Sequence, residues 1–171
     1  DPAASYLRLS FKRKEITVLA KARYTCAVSI LETLSAEERV LIYSERIEQA
    51  EAIYGLLLSR FPNRVGLYHS KMDTAARQRV LRDFRDHTVR ILISCRCLDE
   101  GLDVPDATVG IILSGGSVKR QRLQRLGRIL RQNERKDVAV LYYLYVDGSS
   151  EDRAYLTEQD GYPVLSLSYL Y

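Results

Sequence analysis

At 171 residues the chain suits one domain, or one domain with a small appendage, and its apolar (46%) and charged (28%) fractions are those of a globular protein. No apolar run approaches the ~20 residues of a membrane span, and no signal-peptide pattern opens the chain. The net charge of +4 is concentrated: residues 119–136 hold eight basic side chains against Glu134 alone, so one local patch makes the chain basic and the remainder is net negative, as a focused anion site requires.

Three cysteines (Cys26, Cys95, Cys97) and two histidines (His69, His87) do not have metal-site spacing, which leaves buried thiols in a reducing compartment. Met72 is the only methionine, and the chain reads as an excised piece or a processed product.

Residues 1–36 read as an N-terminal extension with an opening helix over Thr17–Leu34, and Lys12-Arg13-Lys14 as a solvated charge run. Val40–Tyr43 is a short apolar strand. Ile47–Arg60 has helical spacing with Ile47, Ala50, Ile53/Tyr54 and Leu57/Leu58 inward. Val65–Tyr68 is a second strand, and Asp73 is placed to cap a helix running to Phe84, because its carboxylate can accept from first-turn amides. Ile91–Ile93 and Val109–Leu113 are further strands, Ser117 is a second candidate cap, and Val138–Val146 is a fifth strand. Apolar strands separated by helices imply a mainly parallel sheet with helices on both faces. Residues 37–150 make that α/β domain, and 151–171 are a tyrosine-rich tail whose sequence carries little signal.

In such sheets ligands gather beyond the carboxyl ends of the strands. Polar segments fall there: Ser44-Glu45-Arg46, His69-Ser70-Lys71, Ser94–Asp103 and Ser114–Ser117. At the same edge starts the most informative stretch, Gln124-Arg125-Leu126-Gly127-Arg128-Ile129-Leu130-Arg131. Wound as a helix, it sets Gln124, Arg128 and Arg131 within about 60° of one another, with Leu123, Leu126 and Leu130 opposite. Buried leucines would then aim several guanidinium forks at one external target, and those forks match phosphate oxygens.

This order of motifs resembles the second RecA-like domain of superfamily 2 helicases over residues 37–148. Val40–Ala52 looks like motif IV, and Leu67–Ser70 with Asp73–Arg77 like the phosphate-contacting motif after it. Ser94–Ala107 resembles motif V and Gln124–Arg131 motif VI. DEGLDVPDA, a strand, SGGS and QRLGRILR together are most similar to the XPB-like branch of DNA helicases, with UvrB-like proteins next. The fold implied is RecA-like, a doubly wound α/β sheet.

The resemblance also implies roles. Arg128 and Arg131 would be arginine fingers reaching the γ-phosphate of ATP on a neighbouring domain, neutralising charge on the transferred phosphoryl group. Gln124 would sense the nucleotide, Gly127 would permit close approach between domains, and Asp103 would accept a ribose hydroxyl or hold the motif V turn, which Glu100 and Gly101 shape. Ser44, His69, Ser70 and Ser94 would grip the phosphates of one nucleic-acid strand, with Arg77 placing that strand. His69 has the alternative of a hydrogen-bonded strand-end histidine, and Asp103 that of a turn former.

Where many relatives carry threonine, this chain has Cys95, a poor phosphate donor, and Arg96 is a candidate to supply a charged contact instead. No G-x-x-x-x-G-K-[ST] occurs, nor an acidic box after a strand, so ATP and Mg²⁺ are expected to be held mainly by an N-terminal RecA-like ATPase domain of the same parent protein, and the chain alone should be inactive. The resemblance thus implies the C-terminal motor domain of an ATP-dependent DNA helicase or translocase, with DNA favoured over RNA as partner. Repair, transcription, restriction and phage defence all fit, in the cytoplasm of a prokaryote or the nucleus of a eukaryote. The alternative is a non-catalytic nucleic-acid- or protein-binding module using the same basic rim. A stand-alone enzyme for a small anionic metabolite lacks a Ser/His/Asp or Cys/His set to support it.

Overall fold

The computed structural model describes residues 2–18, 21–95, 107–113, 130 and 140–146. The elements in chain order are α1 (Pro2–Val18), α2 (Ala22–Thr33), β1 (Val40–Ser44), α3 (Ile47–Arg60), β2 (Val65–Tyr68), α4 (Thr74–Arg85), β3 (Ile91–Cys95), β4 (Val109–Ile112) and β5 (Val140–Tyr143). The five strands form one sheet in the order β2-β3-β1-β4-β5, every neighbouring pair parallel. This is the parallel α/β sheet with helices on both faces that the alternation of apolar runs and helical segments implied.

The register stacks residues in rows that alternate between the two faces. Val65, Ile91, Val40, Val109 and Val140 align, as do Leu67, Ile93, Ile42, Ile111 and Tyr142 two residues on. On this face α2 and α3 are packed, with Ala27, Ile30, Leu31, Ala50, Ile53 and Leu57 in the same apolar cluster. The intervening rows face the other way, where Phe84 of α4, Ala107 and Leu130 join Leu41, Leu92 and Ile112. Strands covered on both sides have no reason to alternate polar with apolar, which is why β1, β3 and β4 read as unbroken apolar runs. The segment from β1 to β2 passes over the first face and the segment from β2 to β3 over the second, as right-handed crossovers in opposite directions demand.

Two expected boundaries move. The opening helix begins at Ala22, and Thr17 and Val18 end α1 instead. The buried stripe of α2 starts only at Arg23 and continues through Ala27, Val28, Ile30 and Leu31, so packing gives the earlier residues no reason to join it. The fifth strand ends at Tyr143 rather than Val146, as its partner β4 ends at Ile112, and residues 138 and 139 lie outside the described residues. In α3 the inward face holds Gln49, Ala50, Ile53 and Leu57, while Leu58 is exposed. Beneath the amino ends of the strands, Arg90 donates to Glu38 O (2.9 Å) and Ser35 O (2.7 Å), and the Thr108 hydroxyl donates to the buried Glu38 carboxylate. Burial, then repulsion from Arg64, holds Arg90 below the ordinary arginine range, with Glu38 opposing.

Candidate functional site

The carboxyl ends of β2, β3 and β1 stand side by side, so the segments that follow Tyr68, Cys95 and Ser44 emerge along one rim spanning about 10 Å. Of the thirteen candidate residues, Ser44, His69, Ser70, Arg77 and Ser94 belong to the described residues. Arg96, Glu100, Gly101, Asp103, Gln124, Gly127, Arg128 and Arg131 lie outside them.

Ser44 ends β1 with no exposed surface. Its Oγ accepts from the Arg46 amide (3.2 Å) and lies 2.8 Å from Arg46 O and 2.9 Å from Gln49 Oε1, to one of which it donates its single proton. The hydroxyl therefore closes the turn from β1 into α3. Arg46 stands extended at the N-cap of α3, so the helix starts at the rim with two residues between it and the end of β1.

His69 follows β2 and is 6% exposed. Its Nε2 lies 3.5 Å from Glu51 Oε1 on α3, and its Nδ1 has no partner among the described residues. Its carbonyl accepts from the Met72 amide, which turns the chain into α4. Ser70 is exposed at the tip of that turn. Asp73 caps α4 as expected, its Oδ1 accepting from Ala76 N at 2.8 Å. One turn further Arg77 is half-buried, with an Nη2 donor 3.4 Å from Thr74 Oγ1 and an unpartnered buried Nε. His69, Ser70 and Arg77 are thus gathered by one loop and the first turns of one helix.

Ser94 sits one residue deeper, in the row Tyr68–Ser94–Tyr43–Ile112–Tyr143. It has no exposed surface, and its Oγ has no partner among the described residues. The structure places this hydroxyl inside the sheet face toward α4, below the rim.

The arginine stretch is represented by Leu130, which is buried with Phe84, Leu41 and Leu92 and makes an isolated parallel bridge with Ala107. Its burial agrees with a leucine-anchored segment. At Leu130 the chain pairs edge to edge with Ala107, and the rest of the Gln124–Arg131 stretch lies outside the described residues. Ala107 precedes β4, so Leu130 lies on the α4 face near the amino end of that strand, up to about 20 Å from Leu113 at its carboxyl end.

Sequence reasoning missed three polar partners: the buried Gln49 beneath Ser44, the exposed Glu51 beside His69, and the buried Arg23. A signal existed for Arg23, which stands four residues before Ala27 and eight before Leu31 and so shares their inward stripe. Among the described residues no cluster of His, Cys, Asp and Glu could hold a metal ion, and no helix is long and apolar enough to cross a membrane.

Comparison with known proteins gives these features a family. The pattern of the helicase conserved C-terminal domain matches residues 21–133. A DNA 3'-5' translocase XPB2 of Sulfurisphaera tokodaii is 34% identical over 116 residues, covering 68% of this chain and 25% of that protein. The UvrABC system protein B of Pseudomonas fluorescens is 32% identical over 127 residues, covering 71% of this chain and 18% of its own. The chain therefore spans a quarter or less of these relatives. Among solved structures, the C-terminal domain of the DEAD-box protein Dbp5 superposes with a TM-score of 0.64 at 20% identity, over 81% of this chain and 77% of that one. XPB-like and UvrB-like relatives are those the motifs resembled, and the fold agrees. The chain belongs to the helicase conserved C-terminal domain family, as a RecA-like domain of the superfamily 2 kind.

Proposed function

We propose that the chain is the C-terminal motor domain of an ATP-dependent DNA helicase or translocase, working against an N-terminal RecA-like domain that holds ATP and Mg²⁺. In this reading Arg128 and Arg131 reach across to the phosphates, with Gln124, Gly127, Asp103, Gly101 and Glu100 forming the near wall of the nucleotide cleft. Guanidinium groups in a closed cleft are worth most where charge develops during phosphoryl transfer. Ser70, His69, Arg77, Arg96 and the first amides of α3 hold one DNA strand along the carboxyl rim, mainly through phosphates. Ser44 and Ser94 support that rim from below.

The observation that supports the reading most is the place of Leu130. Leu130, which stands between Arg128 and Arg131 in the chain, is anchored on the α4 face near the amino end of β4, whereas the strand-holding candidates crowd the opposite ends of the strands. A domain that meets a nucleotide on its flank and a strand on its rim can couple closure around one to displacement along the other.

The test uses a polypeptide containing the ATP-binding domain together with this chain. Arg128→Ala should lower DNA-stimulated ATP turnover on the order of 10³-fold while DNA affinity without nucleotide is retained. Near-normal turnover would refute the finger assignment. DNA affinity that is the same with and without the ATP-binding domain, and indifferent to nucleotide, would favour the non-catalytic binding module.

A further inference from the structure

Outside residues 119–136 the chain is net negative, yet that balance hides a second basic stripe, on α4. Arg79, Arg82 and Arg85 are exposed, while Val80, Leu81 and Phe84 turn toward the sheet. At about 100° per residue the three arginines fan over about 120° of the outward side, each about 4.5 Å along the axis from the next. Lys71, also exposed, stands in the turn between β2 and α4, next to Ser70 at the rim. Among the described residues none of these four cations forms an ion pair, although Asp83 and Asp86 are close in sequence.

Helix stability does not account for the stripe. The helix dipole favours Arg82 and Arg85 in the last turn. It gives Arg79 nothing, and like charges three residues apart repel along the row. A polyanion laid along the helix turns that repulsion into binding, because each guanidinium can pair with a phosphate and release its counterion.

The course of α4 suits such a ligand. The helix starts where β2 ends at the carboxyl rim and runs back toward the amino end of β3. At 1.5 Å per residue from Thr74, Arg79 to Arg85 stand about 7 to 17 Å below the rim. The grooves of B-form DNA set its two backbones about 6 to 12 Å apart. One strand lying along His69, Ser70 and Arg77 therefore leaves its complement within reach of the arginines on α4. We propose that this outward face, Arg79, Arg82 and Arg85 with Lys71 at its upper end, is a second phosphate track that holds the complementary strand, so that the domain takes duplex DNA. The proposal rests on the reading of the rim as the seat of one strand.

The test measures binding of a fluorescent DNA duplex, and of one of its strands alone, across a series of salt concentrations. The protein is a polypeptide carrying the ATP-binding domain together with this chain. The variant Arg79→Gln, Arg82→Gln, Arg85→Gln keeps helix propensity and should bind the duplex about ten- to a hundredfold more weakly, with the slope of log affinity against log salt shallower by about 2–3. Its affinity for the single strand should stay within about twofold. The variant Arg79→Lys, Arg82→Lys, Arg85→Lys retains the charge and should retain the duplex slope. Wild-type duplex affinity and slope in the glutamine variant overturn the proposal, as does a slope equally shallow in the lysine variant. So does an equal loss for duplex and single strand, which would lay one strand along both rim and helix. Arg77→Gln run alongside keeps the two readings apart: undiminished single-strand binding there removes the rim assignment, and the duplex slope of the glutamine variant still decides whether α4 holds phosphates.

Discussion

A serine hydroxyl with no exposed surface and no hydrogen-bond partner among the described residues costs stability wherever it is, and Ser94 lies between Tyr68 and Tyr43 in the centre of the sheet. Its small side chain leaves room for two phenol rings in adjacent strands, a packing role that alanine would fill equally well. Ser94→Ala should therefore match the wild type or exceed it by up to about 1 kcal/mol, a rise in Tm of roughly 2–4 °C for a chain of this size. DNA affinity should be unchanged. A loss of affinity with a shallower salt dependence would instead show that the hydroxyl reaches a phosphate. Residue type alone could not have separated these roles: Ser44, Ser70 and Ser94 all follow or end apolar runs, but one bonds its own turn, one is exposed and one is enclosed. Depth depends on where each strand ends, and that is set by neighbours distant in sequence. The helical spacing puts Arg23 on the inward stripe, but its partners were illegible for a related reason, since an inward arginine becomes tolerable only when two strand-end carbonyls are there to meet it.

At the scale of elements, much was legible. Ile47–Arg60 and Val65–Tyr68 emerge with the boundaries their apolar patterns imply, and Asp73 caps α4 because its carboxylate meets an amide three residues on, an interaction contained in the local sequence. What local pattern does not contain is how closely elements approach. Gly66 in β2 faces α4, and a methyl group there would lie 2.3 Å from Val80 Cγ2 and 3.1 Å from Val89 Cγ1. Valine is branched at Cβ and turns away poorly, so α4 or β2 must shift. Gly66→Ala should cost about 1–3 kcal/mol, read from the urea midpoint. Adding Val80→Ala should return part of that loss, because the two side chains compete for one space. An unaffected midpoint in Gly66→Ala would mean that α4 does not seat on β2 as described. The loop from His69 to Arg77 depends on that seat, and so does the rim.

Considered as a whole molecule, the sheet is a partition with different duties on its two sides. Leu130 returns to the face shared with α4, and the other face is closed by α2 and α3. The closing helix carries two groups whose titration reports whether it stays seated. Burial raises the Cys26 thiol, and burial also raises the Tyr24 phenol, with the charge of Arg23 opposing. Both groups therefore hold their protons longer in the folded chain than in the unfolded one, where a thiol and a phenol ionise near ~8.5 and ~10. Above the thiol value the unfolded state binds fewer protons, so unfolding free energy must fall with rising pH, with a slope bounded by about 1.4 kcal/mol per pH unit for each group. Below it the contribution is complete and flat. Urea midpoints should thus be steady from pH 7 to 8 and decline through pH 9 and 10, and the Tyr24→Phe, Cys26→Ala double variant should lose much of that decline. A wild-type slope retained in the double variant would show that α2 is not the element whose burial sets the alkaline limit.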